Sequence, residues 1–395
     1  MRILLVNHFP LQGSGSGVYV ANIVKSLERK GHKTCIISPE NTRVFSDIKN
    51  TKLHPVFFKH EEKIENQQEF NFPCFDPHPR SSLLFRDMTE EQIKKYAEVF
   101  RQAIKEEIEA FKPDIIHGQH IWILSSVASE FNIPLVITSH GSDIMGYNWW
   151  ENFHKYAHNA INKCKTVIAI SKHNGEVIKD IFKENSQKVV TMLNGYDEKR
   201  FYKKRYNKNK ILKKLGINKK YKQIVCFSGR LAENKGVDVL LNAATIYENE
   251  DTLTLIAGAG EEIKKLKELQ EKLQLKNIVF LGHKNADELR KIYNIADVCT
   301  VPSRQEAFGL VALEALACGT PVVASNQGGI PDFVTEEVGI LIEKENVEQL
   351  ADAIMKTINK EKKYNSRRIA KYAKENYKQD LLIDKLIDIY KNAIR

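Results

Sequence analysis

The chain has 395 residues, 42% of them hydrophobic and 28% charged, with a formal net charge of +10. That length exceeds one ordinary core and predicts two domains of similar size, and the composition excludes both a disordered chain and a membrane-spanning one. No apolar run reaches the ~18 residues a membrane helix needs, and the opening MRILLV meets polar Asn7 and His8 without the cleavage signal of a secretory leader, so a cytoplasmic protein is expected. Six cysteines (35, 74, 164, 226, 299 and 318) form no CxxC pair and read as buried free thiols in a reducing compartment. Much of the positive charge is local, because residues 199–222 hold twelve Lys or Arg and no acid. This run reads as a solvated linker, with contact to anionic lipid headgroups at the inner membrane face as the sharper alternative. No nucleic-acid fold signature accompanies it, so no nucleic-acid partner is expected.

Arg2 to Val6 reads as a buried strand, and the loop NHFPLQGSGSG leads into a helix over VYVANIVKSLERKG, where Val18, Ile23, Val24 and Leu27 recur at helical spacing. Gly31 closes the helix and His32 to Ser38 supply the next strand, which opens a Rossmann-type half. Gly13, Gly15 and Gly17 give GxGxG rather than the dinucleotide fingerprint, and Glu40 comes too late to hold a ribose. The loop can still bring the Ser16 and Gly17 amides against a phosphate at the helix N-terminus. Residues 41–88 are rich in aromatics and prolines, with no clear period; His78 and Arg80 there are candidates for an anionic acceptor. Thr89 caps an amphipathic helix that runs to Phe111. DIIHGQH, PLVITSHGSD and TVIAIS are apolar runs ending in polar residues, as buried parallel strands deliver side chains to a sheet's carboxyl edge. His117 and His120 lack a third ligand for a metal. His140, followed by Gly141 and Asp143, is placed to meet a sugar hydroxyl or a phosphate, with Asp143 toward the acceptor. Tyr147, Trp149 and Trp150 read as core, and Asn194-Gly195 marks a turn after a last strand.

QIVCFSGRLAENKG (223–236) repeats the opening logic: a strand, Gly229, then a loop carrying Arg230 and Lys235 before a helix near Val237. A planar cationic fork beside a mobile point charge suits a diphosphate. Four further strand–helix alternations follow, with Gly258, Gly260, Gly282 and His283 in loops at the carboxyl edge, where main chain could flank a base. In SRQEAFGLVALEALACGTPVVAS (303–325), Glu306 and Glu314 are separated by seven residues, and a helix beginning near Phe308-Gly309 carries the second. Eight helical steps cover roughly 12 Å. A ligand held by both carboxylates is long and polar, with its negative part over the helix N-terminus, which is the shape of a nucleotide sugar.

Taken in order, GSGVYVANIVKSL, HGSD, NGYDEKRF, SGRLAENKG, EAFGLVALEALACGTPVVAS and GGIPDFV resemble the successive motifs of the retaining GT-B glycosyltransferases of family GT4, over nearly the whole chain. The resemblance implies an α/β architecture of two facing Rossmann-like doubly wound domains with a cleft between them. Residues 1–198 would bind the acceptor, 199–222 would link, 223–373 would bind the nucleoside-diphosphate sugar, and the terminal helix within 374–395 would cross back to the first domain. It also implies that Arg230 and Lys235 bind the diphosphate and that Glu314 binds the ribose hydroxyls. Glu306, with the Ala307, Phe308, Gly309 and Leu310 segment, would hold the donor sugar and phosphate, while Gly17 approaches the phosphate and His140 lies beside the sugar. Ser16 departs from the family's usual pair of glycines but keeps a small residue. The implied reaction is front-face transfer from a UDP- or GDP-linked sugar to an acceptor hydroxyl, with Glu306, His140, Arg230 and Lys235 as catalytic groups and no obligatory metal or other cofactor. A sugar-nucleotide epimerase of the same plan, a sugar phosphorylase and a non-catalytic carbohydrate-binding protein are the competing readings. Against the phosphorylase, the sequence shows no lysine placed for a bound pyridoxal cofactor.

Overall fold

The computed structural model describes residues 1–43, 48, 50–59, 63–76, 78 and 80–395, and the remaining part of the 41–88 segment lies outside the described residues. The chain divides into two compact units, Met1–Leu193 with Gln379–Arg395, and Asn194–Lys378.

Among the described residues, unit 1 has seven strands: β1 (Arg2–Val6), β2 (Lys33–Glu40), β3 (Lys52–Phe57), β4 (Ile115–Gln119), β5 (Leu135–Ser139), β6 (Thr166–Ala169) and β7 (Val189–Thr191). They pair in parallel in the order β3-β2-β1-β4-β5-β6-β7. The order reverses direction between β1 and β4, the point where doubly wound sheets hold ligands. Six helices connect them: α1 (Gly15–Arg29), α2 (Glu90–Phe111), α3 (Ile123–Ala128), α4 (Ser142–Trp149), α5 (His154–Lys163) and α6 (Lys172–Ile181). Thr89 and Gln92 form a reciprocal capping box at the start of α2, satisfying two first-turn donors at once. The aromatics of the segment without a clear period are core: Phe58, Phe72, Phe75 and Phe85 pack with Tyr96, Trp122 and Phe153. Trp150 joins this cluster, whereas Trp149 is 54% exposed, so only one of that pair is core.

Unit 2 repeats the plan with six parallel strands: β8 (Gln223–Ser228), β9 (Thr252–Ala257), β10 (Ile278–Gly282), β11 (Val298–Val301), β12 (Val322–Ser325) and β13 (Gly339–Ile342), in the order β10-β9-β8-β11-β12-β13. Its helices are α7 (Lys208–Lys214), α8 (Val237–Tyr247), α9 (Ile263–Lys272), α10 (Ala286–Ile295), α11 (Leu310–Ala317), α12 (Val347–Ile358) and α13 (Ser366–Tyr377). The basic run 199–222 is part of this unit rather than a separate linker. It contains α7, capped by Asn207, whose Ile211 and Leu212 are buried, and Lys204 N donates to Asn294 Oδ1 at 2.7 Å. The unit boundaries fall at 193/194 and 378/379, where the motifs suggested 198 and 374. The two ends of unit 2 lie side by side, with Tyr196 N donating to Tyr377 O at 3.1 Å.

One further helix, α14 (Gln379–Ile394), completes the core of unit 1: Ile383, Leu386, Ile387 and Tyr390 bury against residues of β1, β2, α1, β4 and β5. Arg29 and Lys30 of the α1 end pair with Asp380 and Asp384 at 2.5 and 2.6 Å. Within the core the Tyr390 hydroxyl meets His117 Nδ1 at 2.7 Å, and His117 Nε2 meets Thr138 Oγ1 at 2.7 Å. Burial pushes the His117 imidazole down to about 3, so it stays neutral and serves as a fixed donor–acceptor link. Tyr390→Phe leaves one imidazole nitrogen buried without a partner and is expected to cost about 1–2 kcal/mol. The loss should show as a lower denaturation midpoint for unit 1; an unshifted midpoint would mean that this link carries no stability.

Candidate active site

In unit 2 the switch point lies between β8 and β11, and the loops leaving their carboxyl ends carry the charged residues. Lys235 Nζ sits 2.8 Å from Glu306 Oε2, and the Ser303 hydroxyl donates to the same oxygen at 3.2 Å. Both side chains are largely covered, at 26% and 12% exposure, which strengthens the pair over a surface one. Arg230 forms a fork with Glu261, Nε and Nη2 each 3.1 Å from a carboxylate oxygen. Sequence reasoning assigned both cations but neither of these carboxylate engagements.

It also missed the brace that holds the two loops together. Arg304 donates to both oxygens of Asp238 at 2.8 and 2.6 Å, to Glu345 at 2.7 Å and to the Glu233 carbonyl at 2.7 Å, while its own amide donates to Asn234 O at 2.9 Å. Burial pushes the Asp238 carboxyl up, but the Arg304 guanidinium outweighs this and holds it below the usual range. The only sequence signal for Arg304 was its place in the SRQE run beside Glu306. Gly328, at φ +57, is equally structural: a Cβ there would lie 1.6 Å from the Glu306 carbonyl.

Gly309, at φ +92, starts α11, and a Cβ would meet Ile330 at 2.6 Å. Ala312 N donates to Gly309 O at 3.0 Å, which leaves the Leu310 and Val311 amides as the first-turn donors without an intrahelical acceptor. The Phe308 side chain is buried against Phe333 at 5.1 Å, so only its main chain belongs to the site, and Ala307 is exposed. One turn further along, Glu314 keeps part of its surface open while protein crowds around it. Burial, with Asp197 adding to it and Arg200 opposing, pushes its carboxyl up to about 8. Asp197 and Arg200 belong to the NGYDEKRF motif, whose sequence marks a turn and a family likeness but not this charge influence.

The other glycines serve loop contact. A Cβ on Gly258 would lie 1.9 Å from Gly229 O, and one on Gly260 2.3 Å from Leu231 O. Gly229 N donates to Ala257 O, Leu231 N to Ala259 O and Gly258 N to Gly282 O. Much of the main chain offered for a base is therefore committed to joining the β8, β9 and β10 loops. His283, by contrast, is exposed at that edge.

In unit 1 the corresponding edge collects His8, His120 and His140, all buried, with the His120 and His140 rings 4.8 Å apart. Burial pushes His140 down to about 3, so it is neutral, and its Nε2 lies 2.9 Å from Gln119 Oε1. That contact engages one of the two His140 ring nitrogens within unit 1. Asp143 is fully buried and accepts from Ser139 Oγ, His140 N and Ile121 N; it clamps the loop and does not face an acceptor. His120, in the left-handed region at φ +72, was passed over because it was weighed only as a metal ligand.

Ser14 caps α1 by accepting from Gly17 N at 3.0 Å, so that amide is committed and the Gly15 and Ser16 amides are the remaining first-turn donors. Gly17 is glycine for packing, since a Cβ would meet Pro10 O at 2.2 Å. The Ser16 hydroxyl is buried without a partner. His78 packs over Gly13, and Arg80 is drawn to Glu40 at 2.9 Å, so its charge faces a carboxylate of its own unit. Among the described residues, no group of three or more His, Cys, Asp or Glu is placed to hold a metal ion, and no helix is long and apolar enough to cross a membrane.

Two family profiles divide the chain between them: Glycosyltransferase Family 4 matches residues 13–200 and Glycosyl transferases group 1 matches residues 207–376. An uncharacterized glycosyltransferase of Methanocaldococcus jannaschii is 28% identical across 100% of this chain and 99% of its own. A second from the same organism is 31% identical over 64% of this chain and 68% of its own. Among solved structures, the Anabaena protein HepE, crystallised with UDP and glucose, superposes with a TM-score of 0.75 at 18% identity over 99% of each chain. The chain therefore belongs to glycosyltransferase family 4 and is a glycosyltransferase of GT-B architecture.

Proposed function

We propose that the protein is a retaining glycosyltransferase that moves a sugar from a nucleoside-diphosphate donor, preferably UDP-linked and next GDP-linked, to an acceptor hydroxyl. The observation that carries this is the gathering of Arg230, Lys235 and Glu306 beside the open first turn of α11 at one sheet edge. Departure of a nucleoside diphosphate concentrates negative charge on phosphate oxygens, and a fixed cation pair with a helix N-terminus stabilises that charge more than the ground state. These cations lie on Glu261 and Glu306, so carboxylates of the chain itself fix their positions.

Glu306 is the only motif-supported candidate for a covalent nucleophile, and its Oε2 is already engaged by Lys235 and Ser303. A carboxylate neutralised in this way is a weak nucleophile and a good anchor for sugar hydroxyls. This supports attack from the face the leaving group vacates, with the departing phosphate taking the acceptor proton. Glu314 then binds the ribose, and the polar edge of unit 1 around His140 serves the acceptor. UDP is the nucleotide placed first in this reading; a protein of the same fold was crystallised with it.

Arg230→Ala and Lys235→Ala should each lower kcat/KM by about 10²–10³-fold. Near-normal transfer by both variants, assayed with UDP- and GDP-sugars, would reject the assignment. In a thermal-shift panel, UDP should raise the apparent Tm more than GDP or ADP, and an equal response to all three would remove the donor preference.

Glu314 also predicts a pH signature. Its folded-state carboxyl is raised from 4.5 to about 8, so the folded protein holds a proton that the unfolded chain has released. The stability it contributes is present below the unfolded value and lost as pH rises through the folded one. Glu314→Gln should therefore gain on the wild type between about pH 4.5 and about pH 8 and keep a constant lead above that, measured by denaturation at a series of pH values. A lead that is the same at all pH values would mean the carboxyl is not raised.

A further inference from the structure

At the opposite, amino edge of the unit 2 sheet lies a cavity of about 620 Å³ that the glycosyl-transfer reading does not use. Its floor is the start of β11 and β12, marked by Asp297 and by Gly319, Thr320 and Pro321. Four-residue strands separate that edge from Glu306 by roughly 13 Å of sheet. Five lysines line it: Lys203, Lys208, Lys360, Lys362 and Lys363. The lining holds a single carboxylate, Asp297, which Lys208 already engages at 3.1 Å. Among the described residues no carboxylate pairs with Lys203, Lys360, Lys362 or Lys363. Several like charges so gathered repel one another, and an arrangement of this kind is stabilised by an anion.

Two further features point the same way. Tyr364, which also lines the cavity, carries a buried hydroxyl with no hydrogen-bond partner among the described residues. The first residue of α13, Ser366, opens on it as well, adding the positive end of a twelve-residue helix. The volume falls within the range of small-molecule sites. Ammonium groups carried on two separate segments, 203–208 and 360–363, suit a ligand with more than one phosphate, because each segment can take its own oxygen cluster.

We propose that this cavity binds a molecule bearing clustered phosphate groups, either free in solution or presented as a phospholipid headgroup. The inference stands apart from the donor site and does not depend on the reaction assigned there. Calorimetric titration of the full chain with inorganic tripolyphosphate, beside vesicle flotation with and without phosphatidylglycerol, separates the two sources. Because tripolyphosphate also suits the carboxyl edge, the titration is run on Arg230→Ala/Lys235→Ala as well. Binding should persist in that variant and fall at least ~10-fold in Lys362→Glu/Lys363→Glu, with a smaller loss in Lys362→Gln/Lys363→Gln. Response to tripolyphosphate supports a soluble ligand, and response to anionic vesicles alone supports a headgroup, provided in each case that the lysine substitutions remove it. Absence of both responses, or wild-type binding by the Lys362→Glu/Lys363→Glu variant, overturns the proposal.

Discussion

A parallel strand cannot turn directly back to its neighbour, so within each sheet successive strands are joined by crossovers and the carboxyl ends arrive at the same edge. That constraint assembles the chemistry. Residues far apart in sequence, such as Lys235 and Glu306, come within 2.8 Å because β8 and β11 are neighbours across the switch point. The same crowding explains the glycines. Where several loops leave one edge, backbone meets backbone, and Gly258, Gly260 and Gly328 are positions at which any side chain would strike a carbonyl oxygen.

Electrostatics at this edge is organised by pairing rather than by bare charge. Arg230 and Lys235 both rest on carboxylates, and Arg304 spends its fork on Asp238 and Glu345 to lock the two loops. An unpaired cation cluster would destabilise the empty protein; a paired one can exchange a carboxylate for a phosphate with little rearrangement. Glu314 is the exception, since its strongest influence is burial and its nearest charged influences, Asp197 and Arg200, oppose each other. In unit 1 the corresponding edge gathers neutral imidazoles instead, with His8, His120 and His140 kept uncharged by burial.

Much of this was legible in the sequence because it is local. Short apolar runs ending in polar residues marked most strands, and Gly309 marked the start of α11. Long-range pairing was not legible. Arg80 and Glu40 are forty residues apart, and Arg304 and Asp238 are sixty-six apart, so neither leaves a trace in spacing. Strand β3 escaped because KLHPVF is a largely half-exposed edge strand with a proline, and lacks both the buried run and the alternation that identify strands. The role of Asp143 was misjudged for a related reason: HGSD looks like an open loop until the three donors that surround its carboxylate are seen.

The interleaving of the two units governs the order in which the protein can be made. Unit 2 is one unbroken stretch of polypeptide, so a ribosome can release it in condition to collapse by itself. Unit 1, although its strands are translated before unit 2, lacks Ile383, Leu386 and Tyr390 until the codons of α14 are read. The nascent amino-terminal half must wait with an uncovered apolar face through the synthesis of its neighbour. Truncation of the message ahead of the codons for α14 would therefore injure the domain whose strands are encoded upstream of unit 2.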